Sequence, residues 1–189
     1  MALIPHLLGR ASFPARFAWF LEGWWRGLVL SPDELQRRLA LAPEQTVLEI
    51  GSGGGYYARP LASRVRRLIA VDIQLAMLAR LRRLGRAPMP FPVQADAGEL
   101  PLPSASVDVV IAVTVLGEVG SIEKTLAEVR RVLRPGARFA ASEHLPDPDF
   151  IAFPRLEALC RSHGLTLRAR FGRRFNYTAV FSAPITPST

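Results

Sequence analysis

The feature that most constrains this chain is a short apolar strand that runs straight into a glycine-rich turn. Thr46-Val-Leu-Glu-Ile50 has the length and side chains of a buried strand, and Gly51-Ser-Gly-Gly-Gly55 follows with no spacer. Glycines at such a junction let a ligand come close to the backbone, and a helix opening there presents free N–H groups to it. A helix is expected from about Tyr56 to Ser63. The alternation then continues, with a strand at Leu68 to Val71, a helix from about Gln74 to Leu84 and a weak strand near Val93 after a proline-rich loop. In the second of these helices Leu75, Leu78 and Ala79 are expected to face inward and Arg82 outward. Val107 to Val113 is β-branched and apolar, which suits a central strand buried on both faces. A helix over Ile122 to Leu133 is expected to start on Ser121 as N-cap and to stop at Pro135-Gly136. A strand over Arg138 to Ser142, a helix over Phe153 to His163 ended by Gly164, and two strands, Thr166 to Phe171 and Tyr177 to Ser182, complete the order. Strands alternating with helices imply a parallel sheet covered on both faces, and the closing hairpin requires one antiparallel strand at the end. The expected architecture is therefore α/β and doubly wound: six parallel strands and one antiparallel.

Composition narrows the class. A chain of 189 residues, 49% of them hydrophobic, can bury its own core as one domain. The single cysteine, Cys160, excludes an internal disulfide framework and fits a reducing compartment. No apolar run has membrane-spanning length, and Arg10 and Arg16 interrupt any signal-like leader, so a cytoplasmic protein is expected. The net charge of +8 comes almost wholly from arginine, Lys124 being the only lysine. The arginines are dispersed, which reads as a solvated basic surface. Nucleic acid is the competing partner but not the favoured one.

Carboxylates at strand ends sharpen the ligand class. Gly51-x-Gly53 opens a dinucleotide fingerprint, but tyrosine at position 56 removes its third glycine. Asp72 ends the second strand, where a carboxylate accepts hydrogen bonds from ribose hydroxyls; that serves a nicotinamide dinucleotide or S-adenosylmethionine equally. Asp96 follows the third strand, where it can accept from an exocyclic adenine amine. Ligands of open α/β sheets bind outside the C-terminal strand ends, so Gly51, Asp72, Asp96 and Val113 are expected to meet in one crevice.

Taken together, Val47-Leu-Glu-Ile-Gly-Ser-Gly-Gly-Gly55, Val71-Asp-Ile-Gln-Leu-Ala-Met77, Gln94-Ala-Asp96 and Leu126 to Gly136 resemble the class I S-adenosylmethionine-dependent methyltransferases. Within that class the chain is most similar to the small ubiquinone/menaquinone-biosynthesis-like group (methyltransferase type 11). The resemblance covers about Leu35 to Pro184 and implies a Rossmann-like fold and S-adenosylmethionine as cofactor, with S-adenosylhomocysteine as product. It implies that Gly51, Gly53 and Gly55 line the methionine part, with Ser52 in the same loop, and that Glu49 orients the loop or the methionine ammonium. By the same carry-over Asp72 binds ribose, Ile73 packs on adenine, Asp96 with Ala97 holds the adenine amine, and Leu116 and Glu118 face the transferring methyl. No Asn-Pro-Pro-Tyr-like stretch follows Val113, which speaks against a base-amine or glutamine methyltransferase. The quinone-pathway signature near the C-terminus is not recognisable, so that substrate is not inherited.

The catalytic residue stays open. Glu118, Glu143 and His144 are the candidate bases, His144 being weighed against a surface-loop histidine. His6 and His163 offer no metal-ligand spacing, and no metal is expected. Residues 1–30 stand apart as an aromatic helical cap before the domain of residues 31–189. Phe13, Phe17, Phe20, Leu21, Trp24, Trp25 and Leu28 recur at helical spacing and form either a lid over an acceptor pocket or a peripheral membrane contact through residues 13–30. The leading expectation is methyl transfer to a small or lipid-like acceptor. The alternatives are an RNA or protein methyltransferase using the basic surface, and a cofactor-binding protein without catalysis. The oligomeric state is not legible.

Overall fold

A computed structural model describes residues 30–185. The expected aromatic cap therefore lies, but for Leu30, outside the described residues. The described chain begins with helix α1 (Pro32–Leu39), followed by β1 (Thr46–Ile50), α2 (Ala58–Leu61, continued as a 3-10 turn over Ala62–Arg64) and β2 (Arg67–Asp72). Next come α3 (Leu75–Leu84), β3 (Phe91–Gln94), β4 (Val107–Val113), α4 (Ile122–Val132) and β5 (Leu133–His144). The chain closes with α5 (Phe153–Ser162), β6 (Thr166–Arg173) and β7 (Asn176–Ser182).

The strands form one seven-stranded sheet in the order β3-β2-β1-β4-β5-β7-β6. β1 to β5 pair in parallel, and β7 is antiparallel to both β5 and β6. The expected six parallel strands and one antiparallel strand are what the chain forms. Every side chain of β1 is buried, and β4 is buried except at Asp108. Alternation along each strand divides the core in two. Leu48, Ile50, Val110, Phe139, Ala141 and Tyr177 pack on one face, while Val47, Ala70, Ile111, Ala140 and Val180 pack on the other. Burial of the larger of these side chains, at roughly 1.5–3 kcal/mol each, is the main force holding the layers together.

Several local expectations are corrected. Helix α1 has no counterpart among the expected elements, although Ser31-Pro32-Asp33-Glu34 carries a start signal: the Ser31 hydroxyl accepts the Glu34 N–H at 3.1 Å and Pro32 occupies the first turn. Helix α2 is a single turn plus a 3-10 turn and does not run from Tyr56 to Ser63. Helix α3 buries Met77, Leu78 and Leu81, while Leu75 and Ala79 are exposed. Helix α4 stops at Val132, and β5 starts at once. Pro135-Gly136 is a bulge inside β5, across which pairing jumps from Val107↔Leu133 to Val109↔Arg138. Gly136 sits there at φ 75°, and its N–H donates to the Pro184 carbonyl.

Candidate functional site

All the parallel strands end on the same edge of the sheet, so Ile50, Asp72, Gln94, Val113 and His144 mark a row along it. The crevice outside that edge is where an open α/β sheet binds ligands.

Its first wall is the turn after β1. Gly51, Gly53 and Gly55 have φ of 67°, 53° and 85°, which glycine adopts without strain. Most of the turn's donors are already engaged. The Ser52 N–H donates to the Val71 carbonyl, the Gly53 N–H to Asp72 Oδ2 at 2.8 Å and the Gly55 N–H to the Ser52 carbonyl. Phosphate binding needs free N–H groups at the start of a helix, and here three of the five N–H groups of the turn are engaged and the helix is one α-turn continued by a 3-10 turn. A Cβ at Gly53 would meet nothing within 4 Å, so a ligand can approach the backbone there. The Ser52 hydroxyl is buried with no hydrogen-bond partner among the described residues.

Asp72 does more than end β2. Its Oδ2 holds Gly53 and its Oδ1 accepts the Gln74 N–H at 2.8 Å, so one carboxylate braces the glycine turn and starts α3. Burial pushes its carboxyl above the usual range, against the lowering effect of the Gln74 and Gly53 N–H groups. A carboxylate has about four acceptor sites and only two are used here, leaving capacity for ribose hydroxyls. Beside it Ile73 is 53% exposed and Leu75 60% exposed, two apolar side chains standing in solvent at the ligand edge. Asp96 is exposed after β3 and accepts the Gly98 N–H through Oδ1, while Ala97 is buried. Glu49, on β1, is buried on the Val47 face of the sheet.

The second wall follows β4. Val113 is buried and Thr114 has φ 50°, a left-handed conformation that costs a β-branched residue strain. That turn places Val115 against the glycine run: a Cβ at Gly51 would lie 2.3 Å from Val115 Cγ2. Gly51 thus serves the contact between the two loops as well as the turn. Leu116 is fully buried in the core and presents no surface to the crevice, which corrects the expectation that it faces a methyl group. Glu118 is part-buried. No motif signalled Thr114 and Val115, because a left-handed threonine has no sequence signature.

Glu143 and His144 do not follow β5 but end it, and both are buried, so the surface-loop reading of His144 fails. Strand alternation puts Glu143 on the face of Phe139 and Ala141, and His144 on the face of Ala140. They cannot act together on one acceptor atom. Glu143 Oε2 accepts the Ile151 N–H at 3.3 Å, and Oε1 has no hydrogen-bond partner among the described residues. Burial pushes its carboxyl to about 8; the Ile151 N–H opposes that rise, and the charges of Asp147, Glu118 and Asp149 add to it. Cys160 is buried on α5, and burial pushes its thiol up to about 12, which leaves it a poor nucleophile. Among the described residues no cluster of His, Cys, Asp and Glu is arranged to hold a metal, and no helix is long and apolar enough to cross a membrane.

A model of the methyltransferase domain matches residues 48–141, the stretch that carries both walls. A probable S-adenosylmethionine-dependent methyltransferase of Mycolicibacterium smegmatis is 37% identical over 119 residues, covering 63% of this chain and 44% of that protein. Sterol methyltransferase-like 1 of Botryococcus braunii is 32% identical over 127 residues, covering 65% of this chain and 33% of that protein. This chain thus spans less than half the length of either relative. A solved S-adenosylmethionine-dependent methyltransferase from Aquifex aeolicus has the same fold, with a TM-score of 0.80 at 18% identity over 90% of this chain and 99% of that one.

Proposed function

From a chain that belongs to the class I S-adenosylmethionine-dependent methyltransferases, we propose transfer of a methyl group to a small, lipid-like acceptor at the C-terminal edge of the sheet. The observation that carries the reading is the grip of Asp72 on the glycine turn. It consumes a donor that a dinucleotide pyrophosphate would need and leaves an open backbone surface at Gly53, beside the exposed side chains of Ile73 and Leu75. That cradle suits a nucleoside with a short zwitterionic tail better than a diphosphate. The sterol-named relative supports a lipid-like acceptor.

Bound S-adenosylmethionine supplies an activated methyl on a sulfonium, a good leaving group. The chain's own work is binding, alignment and exclusion of water. Asp72 accepts from ribose hydroxyls through its unused lone pairs, Ile73 and Leu75 cover the adenine faces, and Asp96 accepts from the adenine amine. Gly53 would let the methionine portion approach the backbone, and the Ser52 hydroxyl and Glu49 would be the polar groups available to hold it. Val115 locks the β4 loop to Gly51, which fixes the acceptor side relative to the cofactor side. Holding two reactants in line is worth roughly 7–11 kcal/mol of barrier. Where the acceptor must lose a proton, Glu118 takes it, because it alone of the three candidate bases is not buried. The test is turnover of methyl-labelled S-adenosylmethionine against a panel of phenolic, prenylated and sterol acceptors, with RNA and protein as controls. Label in lipid extracts supports the reading; label only in RNA or protein overturns it.

A further inference from the structure

Among the described residues, four of the seven large apolar side chains left exposed, Ile73, Leu75, Leu145 and Phe175, stand on the ligand edge of the sheet, while Met89, Phe91 and Ile185 lie elsewhere. The first two flank Asp72 and belong to the cofactor half. Leu145 (48% exposed) and Phe175 (53% exposed) lie at the other half. They are neighbours, because the Leu145 N–H donates to the Phe175 carbonyl at 2.9 Å. The register explains why: His144 and Arg173 both pair with Asn176, so the β6–β7 turn ends level with β5. Arg173 and Arg174 are exposed in this turn, and the Arg174 guanidinium lies over the Phe175 ring at 5.3 Å.

The charges exposed in the β6–β7 turn are those of Arg173 and Arg174, and the flanking chain is also basic. From Phe150 to Ile185 the chain carries six arginines and one acid, Glu157. The nearest acids on the β5 side, Asp147 and Asp149, are part-buried, and Asp147 Oδ1 is engaged by the Asp149 N–H. An apolar pair beside exposed arginines is the arrangement that enters a headgroup region, with the side chains in the acyl boundary and the guanidinium groups on phosphates.

We propose that the β6–β7 tip, through Leu145, Phe175, Arg173 and Arg174, docks this protein on an anionic bilayer surface, with the acceptor half of the crevice facing the lipid. This rests on the lipid-like acceptor reading and extends it by a route of entry: the acceptor reaches the crevice from the membrane rather than from solution.

The experiment is co-sedimentation of the full chain with vesicles of phosphatidylcholine alone and of phosphatidylcholine with phosphatidylglycerol, at low and high salt. The full chain binds the anionic vesicles and releases them at high salt. The double variant Arg173→Ala/Arg174→Ala binds them about thirtyfold more weakly. The double variant Leu145→Ser/Phe175→Ser loses binding while keeping wild-type affinity for S-adenosylhomocysteine, which shows that it is folded. Wild-type vesicle binding by both variants overturns the proposal and moves the contact elsewhere in the chain. So does the absence of anionic-vesicle binding by the full chain, and so does loss of self-association or of RNA binding as the only defect of the variants. Vesicle binding and turnover on a detergent-dispersed acceptor are separate readouts, so failure of docking leaves the proposed chemistry standing and failure of turnover leaves docking standing.

Discussion

Replacing Glu143 by glutamine should remove the fall in stability with rising pH that this side chain imposes. Glu143 is 1% exposed, with one oxygen on the Ile151 N–H and the other without a hydrogen-bond partner among the described residues. Its carboxyl is pushed from 4.5 to about 8, chiefly by burial. The folded state therefore holds a proton that the unfolded chain releases. Between the unfolded and folded values the native state binds more protons, so stability falls as pH rises from about 4.5 to about 8 and levels off above. At about 1.4 kcal/mol per pKa unit, that span converts to at most about 5 kcal/mol. Glutamine keeps an oxygen for the Ile151 N–H and cannot ionise. Urea unfolding of both proteins at several pH values from 5 to 9 gives the comparison. The variant should gain about 2–5 kcal/mol on wild type between pH 5 and 8.5, with no further gain above. A difference that is flat with pH would refute the buried, proton-holding state of Glu143.

Gly51→Ala should destabilise the fold and weaken cofactor binding together. The left-handed backbone costs roughly 1–2 kcal/mol for any side chain with a Cβ, and Val115 must move as well; thermal unfolding and titration with S-adenosylhomocysteine read the two effects. Ser31→Ala should cost about 0.5–2 kcal/mol by removing the cap of α1, seen as a lower urea midpoint with an unchanged slope. Asp72→Asn leaves only one oxygen for the two N–H groups that the carboxylate now holds. It should lower S-adenosylhomocysteine affinity about 10- to 100-fold, measured by calorimetry.

Much of this architecture can be read from local pattern. The runs Thr46–Ile50, Leu68–Val71 and Val107–Val113 are predominantly apolar because the strands are buried on both faces, and that leaves a legible signature even with Glu49 and Asp108 inside them. Ser121 as N-cap of α4 and Gly164 at φ 74° after α5 follow from equally local chemistry. The misses have tertiary causes. Pro135-Gly136 looks like a helix stop, yet pairing with β4 and the Pro184 carbonyl turn it into a bulge within a longer strand. Leu75 has the apolar character of an inward residue, but its place at the ligand edge keeps it in solvent. His144 sits beside a proline and an aspartate, which reads as loop, yet antiparallel pairing with Asn176 buries it. In the site, Gly51, Asp72 and Asp96 lie at the strand ends where their spacing put them. The second duty of Asp72 as a brace and the press of Val115 on Gly51 depend on how two loops meet, and no local spacing encodes that.

The most direct test of the central claim is calorimetric titration of the full chain with S-adenosylhomocysteine and, separately, with NAD. The cradle described here predicts saturable one-to-one binding of S-adenosylhomocysteine, weakened by Asp72→Asn, and no heat from NAD beyond dilution. Binding of NAD, or S-adenosylhomocysteine affinity unchanged by Asp72→Asn, would contradict it.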